Sequence, residues 1–322
     1  MRGVNSAAPR PEEGTEPERR QSEVLGTVTT WWRYPARDAD AVREPLLMVH
    51  GFRGTHQGLD DLARALSAGP GGRDVIVPDL PGFGQSPSLR AGGTIEAYAL
   101  WLIALRDQLD LEDTPVLGHS FGTTIIGAAL SLGMLTDRIV LINPISAPAL
   151  QGPRRVGTLA ALAYYQLAAA LPDAAARRVL SSRAVVRVMS EVMAKTRDRA
   201  LRRWIHRQHR AWFSVFDSPK TLLEAFEASI THDVGEYTFD FTEPTLVIAG
   251  DRDDIVPLSA QQAFVDELDD ATLVVAHGVG HLVHYEAWRA ADRWIRRYLD
   301  EGEHRGPARD AREPAGGQGT GR

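Results

Sequence analysis

Gly118-His119-Ser120-Phe121-Gly122 holds the residue best placed for covalent chemistry. A serine flanked by glycines in this pattern reads as a nucleophile elbow, a sharp turn from strand to helix that leaves the hydroxyl projecting into open space. The glycines have a steric reason to be there. So tight a turn strains the serine backbone, and larger flanking side chains would meet neighbouring backbone. Thr114-Pro115-Val116-Leu117 suits a short buried strand before the turn, and the run from Thr123 to Leu132 suits a buried helix after it. Taken alone, the pentapeptide fits an ordinary glycine-rich turn equally well, so its context decides.

A serine hydroxyl is a poor nucleophile at neutral pH. It needs a base to take its proton, and the base needs an orienting acid. Both residue types lie downstream. Gly250-Asp251-Arg252-Asp253-Asp254-Ile255-Val256-Pro257 directly follows a predicted strand, and Gly278-Val279-Gly280-His281 follows the last one. In a parallel sheet the carboxyl ends of the strands share one edge, so Ser120, an Asp of the first segment and His281 can converge there. His277 and His284 rival His281, and each also reads as a local hydrogen-bonding group. His277 and His281, four apart, would hold a metal only on a helix. Gly278 and Gly280 oppose that helix, so no metal is expected there; no cofactor is expected either.

The elements that must position these residues follow a rhythm. Strands are expected at 24–32, 46–49, 74–77, 138–142, 245–249 and 272–276, besides the one before the elbow. Helices are expected at 58–66, 94–109 (with Thr94 as N-cap), 258–268 and 286–299, besides the one after it. Alternating strands and helices imply a mostly parallel sheet covered on both faces, and the short continuous apolar strands suit burial on both sides. The rhythm breaks between Pro144 and about Tyr237. That stretch reads as helices interrupted at Pro153, Pro172 and Pro219, an insertion lying over the sheet.

Composition narrows the classes. The chain has 322 residues, 43% hydrophobic and 24% charged, as in an ordinary globular protein. Its net charge of −6 argues against a general nucleic-acid binder. Without cysteine it has no disulfide, thiolate metal site or cysteine nucleophile. Residues 1–22 lack the apolar core of a secretory signal and read as a disordered leader, as 302–322 read as a disordered tail. The run from Val156 to Leu171 carries no charge but stops short of a membrane span. It reads as a helix packed on the body of the protein, or as a face that touches lipid or a lipid-like substrate. The expected compartment is the cytoplasm.

Five motifs in order carry a resemblance: His50-Gly51-Phe52-Arg53-Gly54, Asp79-Leu80-Pro81-Gly82-Phe83-Gly84-Gln85-Ser86, the elbow, Gly250 to Pro257, and Gly280-His281. Together they resemble the α/β-hydrolase superfamily, of the cap-bearing kind, across about residues 24 to 300. The resemblance implies a core of 23–143 and 238–301 with a helical cap at 144–237. It implies Ser120 as nucleophile, His281 as general base and then acid, and Asp253 as the residue that orients the imidazole. Asp251 and Asp254 are then loop-capping or solvated. It further implies an oxyanion hole from the backbone N–H groups of Phe52 and Phe121. His50, Gly51, Gly118 and Gly122 support the motifs, while His50, His119 and Asp79 tie loops together.

The expected function is hydrolysis of a small or medium carboxylic ester through an acyl-enzyme, with a small molecule as partner. Two alternatives stand beside it. One is a carbon–carbon bond hydrolase or cofactor-free perhydrolase with the same triad, and the other is a slow ligand receptor or signalling protein. Dehalogenases and epoxide hydrolases of the superfamily carry Asp where this chain has Ser120, which disfavours their reactions. In the insertion, Arg177, Arg178, Arg183, Arg187, Arg197, Arg199, Arg202, Arg203, Arg207 and Arg210 read as a solvated surface, or else one or two turn inward to hold a carboxylate. Tyr164, Tyr165, Trp204, Trp212 and Phe213 line the cleft or belong to the core.

Overall fold

The computed structural model describes residues 16–37, 43–68, 71–150 and 155–303. The strands are β1 (Glu18–Val24), β2 (Thr27–Tyr34), β3 (Leu46–Val49), β4 (Val75–Pro78), β5 (Val116–His119), β6 (Ile139–Ile142), β7 (Thr245–Gly250) and β8 (Ala271–Ala276). They form one sheet in the order β1-β2-β4-β3-β5-β6-β7-β8. β1 and β2 pair antiparallel, as do β2 and β4, and the remaining neighbours are parallel. This is the α/β-hydrolase fold class, with helices on both faces.

Alternation explains why the central strands read as continuous apolar runs. Leu47, Val49, Val116, Ile139, Leu141 and Val247 point to one face and pack with α2 (Ile95–Gln108) and α3 (Phe121–Ser131). Leu46, Met48, Leu117, Val140, Ile142, Leu246 and Ile248 point to the other, towards α1 (His56–Ser67) and α11 (Trp288–Glu303). Both faces are buried, so both sets of residues must be apolar. Thr94 caps α2, its side chain accepting from the N–H of Ala97.

Three expectations need correction. The opening strand expected at 24–32 is a hairpin, β1 and β2 turning at Leu25-Gly26, where φ is +50° and +71°. Both central residues of such a turn need positive φ, which Asn-Gly or Gly-Gly would have signalled and Leu-Gly does not. The expected leader therefore ends earlier, because Glu18 to Ser22 belong to β1. That strand lies at the sheet edge and is largely exposed, so its charged residues mimic a leader. Residues 1–15 lie outside the described residues. After α9 (Leu258–Asp266), the expected last helix is two: α10 (Val283–Glu286), then α11, which runs to Glu303 and takes the start of the expected tail. Residues 304–322 lie outside the described residues.

Between β6 and β7 come α4 (Arg155–Ala169), α5 (Asp173–Leu180), α6 (Arg183–Met193), α7 (Arg199–Trp212), α8 (Pro219–Thr231) and a 3-10 helix (Val234–Asp240). Pro172 precedes α5 and Pro219 opens α8, where a missing N–H costs least. Pro153 lies outside the described residues. Among the described residues, no helix is long and apolar enough to cross a membrane.

Candidate active site

Ser120 sits between β5 and α3 with φ +54° and ψ −123°. A non-glycine residue holds so strained a conformation only when its surroundings over-determine it. Gly122 is the tightest of those surroundings: a Cβ built there would lie 2.4 Å from the carbonyl oxygen of Val49. On Gly118 a Cβ would lie 2.9 Å from the Gly122 carbonyl carbon. The loop after β3 also crosses close by, since a Cβ on Gly51 would approach the Ser120 Cβ to 2.9 Å.

Two loops at the same sheet edge complete a line of side chains. Asp253 lies three residues past β7, and His281 five past β8. His281 Nε2 is 2.7 Å from Ser120 Oγ, and its Nδ1 is 2.7 Å from Asp253 Oδ2. Both His281 and Asp253 are buried. Asp253 Oδ1 accepts from the backbone N–H groups of Ile255 (2.7 Å) and Val256 (3.2 Å). Its Oδ2 also accepts from Asn143 Nδ2 at 3.0 Å. Burial pushes the Asp253 carboxyl up, but the charge and hydrogen bond of His281 and these N–H donors outweigh it. The group ends below the usual carboxylate range.

The neighbouring histidines have their own partners. His50 donates from Nδ1 to the Gly51 carbonyl (2.9 Å) and accepts at Nε2 from the Leu80 N–H (2.9 Å). Burial holds it neutral, down to about 4. His119 Nε2 donates to the carbonyl of His281 at 3.1 Å, and burial, then the nearby His281, takes it down to about 3. Asp79 accepts from His56 and from the Gln85 N–H, pinning its turn. Of the rivals to His281, His277 is 83% exposed on its side chain and pairs with Asp251. His284 is buried against the His119 ring, 4.0 Å between centroids. Asp254 meets Lys195 Nζ. Among the described residues, no three His, Asp or Glu are grouped to hold a metal.

Ser120 opens into a cavity of about 420 Å³. Phe52, Phe121 and Ile145 line it from the loops and helix at the sheet edge. Tyr164, Tyr165, Met189, Met193, Phe213 and Phe226 come from the helical segment. Trp204 instead packs edge-on against Tyr285, and Trp212 is not among the lining residues. None of the ten arginines named above lines the cavity, nor does any Asp, Glu or Lys among the described residues. The reading in which an arginine turns inward is therefore set aside, and that charge faces solvent or neighbouring helices.

Two residues escaped the sequence reading. Asn143, at φ +46° beyond β6, bears on Asp253 although no motif marks it. Arg53 appeared only as a motif position. It is fully buried and donates to three parts of the helical segment: the Phe213 carbonyl (2.9 Å), the Tyr165 hydroxyl (3.1 Å) and the Leu180 carbonyl (2.8 Å).

Residues 44–287 match the family profile described as alpha/beta hydrolase fold. The chain is 26% identical over 295 residues to the dihydrolipoyllysine-residue acetyltransferase component of an acetoin cleaving system from Pseudomonas putida, covering 88% of this chain and 70% of that protein. It is 24% identical over 274 residues to a 2-hydroxy-6-oxononadienedioate/2-hydroxy-6-oxononatrienedioate hydrolase from Cupriavidus pinatubonensis, covering 84% and 91%. Among solved structures, a thermophilic esterase from Thermogutta terrifontis superposes with a TM-score of 0.71 at 19% identity, covering 88% of this chain and 99% of that one.

Proposed function

The chain belongs to the alpha/beta hydrolase fold family, and on that premise we propose that it is a serine hydrolase acting on an uncharged carboxylic ester through an acyl-enzyme. The observation that carries this reading is the unbroken line from Ser120 Oγ through both ring nitrogens of His281 to Asp253, each step 2.7 Å.

Ser120 Oγ attacks the ester carbonyl while His281 Nε2 takes its proton. Asp253, kept ionised, holds the ring by Nδ1 and stabilises the imidazolium that forms. Negative charge then gathers on the former carbonyl oxygen. The donors assigned to it are the backbone N–H groups of Phe52 and Phe121. The Phe121 N–H opens α3, where the first N–H groups have no acceptor within the helix and the helix dipole favours negative charge. Losing one such donor typically costs about 3–4 kcal/mol of barrier. His281 returns the proton to the leaving alcohol, and a water activated by the same ring releases the acid and restores Ser120.

The helical segment serves as a cap, and its side chains give the cavity its character. An apolar pocket without ionised groups would force a charged substrate to give up its hydration uncompensated, which favours neutral acyl and alcohol groups. Replacing Ser120 with Ala and assaying short and medium p-nitrophenyl esters tests the reading. Turnover should vanish, and undiminished activity would end it.

A further inference from the structure

The helices over the cavity carry a surface that the proposed chemistry does not use. On α4, Val156, Leu159, Ala160, Ala163 and Leu167 recur at helical spacing and are all exposed, Val156 at 78% and Leu167 at 72%. No charged side chain interrupts this helix from Val156 onward. Its adjoining face, Ala161, Tyr164 and Tyr165, lines the cavity. α6 repeats the plan. Val185, Met189 and Met193 line the cavity, while Ala184, Val188 and Val192, about 100° round the helix, face solvent. Val188 is 63% exposed.

Beyond that valine stripe, Arg183 and Arg187 wall a surface depression together with Arg203, Arg207 and Arg210 of α7. Between Asp173 and Trp212, eleven Lys and Arg stand against three Asp and Glu, within a chain of net charge −6. Glu191, which faces this group, is engaged by Arg187 and Arg202. Among the described residues, Arg183, Arg203, Arg207 and Arg210 form no ion pair.

We propose that this face of α4 and α6, with the arginine depression beside it, docks on an anionic lipid bilayer. Rows of exposed aliphatic side chains on two helices that line one cavity, unlike single scattered ones, mark an interaction surface. An aliphatic stripe bordered by cations suits one solvent boundary well. The side chains enter the edge of the acyl layer, and the guanidinium groups stay at phosphate level. Charge also selects the orientation, because the acidic remainder of the molecule is repelled by the same membrane. Docked this way, the cavity lies beneath the buried face, behind the thickness of one helix. The docking depends on the outer surface and not on Ser120, so it stands or falls separately from the hydrolase reading.

The test is flotation of the full chain, carrying Ser120→Ala so that lipid stays intact, with vesicles of phosphatidylcholine containing phosphatidylglycerol or of phosphatidylcholine alone. Binding should require phosphatidylglycerol and weaken at high ionic strength. Each arginine near the membrane contributes roughly fivefold to partitioning. Arg203→Glu with Arg207→Glu should therefore lower binding by roughly 25-fold or more. Leu167→Ser with Val188→Ser should lower it too. In the Ser120 background both pairs should keep wild-type hydrolysis of a soluble p-nitrophenyl ester, which reports folding. Absence of flotation, equal binding to both vesicles, or indifference to both pairs would overturn the proposal. So would light scattering that shows a dimer dissolved by the Leu167 and Val188 changes, which would assign the face to a second copy.

Discussion

Arg53 Nη2 donates to the carbonyl of Leu180 at 2.8 Å, joining the loop beside Ser120 to a helix 127 residues further along. Two more bonds from the same guanidinium reach Tyr165 and Phe213. Arg53 itself sits at φ +57°, so its backbone is held by the fold while its side chain holds the helices.

Arg53→Met should therefore loosen the helical segment. Each lost bond to a charged donor is worth about 1.5–3 kcal/mol. Thermal melting should fall by several degrees, and KM should rise more than kcat falls. Unchanged melting and unchanged KM would show that the segment is seated by other contacts.

Asn143→Gly removes the amide donor from Asp253 and keeps the positive φ without strain. A loss of about 1–2 kcal/mol of transition-state stabilisation is expected, roughly five- to thirtyfold in kcat, with KM little changed. Asp253→Asn should cost far more, about 10⁴-fold, because the imidazole loses the partner that fixes its tautomer. Steady-state kinetics of the two variants checks both figures, and equal effects would contradict the assigned order.

Much of this site was legible from residue types. Gly118 and Gly122 flank Ser120 in a five-residue pattern, so the elbow is legible locally even though the contact that forces Gly122 comes from Val49 of β3, and Asp253 and His281 each follow a recognisable strand. Asn143 was not legible, because its partner lies 110 residues away and no local pattern marks it. Arg53 had a motif but no visible task, since its three acceptors arrive from helices without signatures. The first hairpin was hidden because Leu25 takes a conformation that its side chain does not advertise. The arginines of the helical segment illustrate the limit of composition: charge was evident, but only packing decides which way a helix turns.

Acid should destabilise the fold through its buried imidazoles. Burial holds His50 down to about 4 and His119 and His209 down to about 3. Above pH about 6.5 these groups are neutral whether the chain is folded or not. Below it the unfolded chain takes up protons that the folded one refuses, so stability falls with pH, by about 1.4 kcal/mol per unit for each fully shifted histidine. The denaturant midpoint should drop from pH 7 to pH 5, and His209→Phe should flatten that slope. A slope unchanged in the variant would contradict the assignment.

The cavity predicts selectivity as well. An ester with a neutral acyl group should be turned over at least about 100-fold more efficiently than one of similar size bearing a carboxylate, because no cation lines the pocket to receive it. Comparing kcat/KM for p-nitrophenyl butyrate and the monosuccinate ester is sufficient. Equal values would place an unforeseen cation at the substrate.

The central claim is that Ser120 is the nucleophile, and a fluorophosphonate probe tests it most directly. Intact mass should show a single adduct, and peptide mapping should place it on Ser120, with none on the Ser120→Ala protein. An adduct on another residue, or an unmodified protein that still hydrolyses esters, would contradict the account.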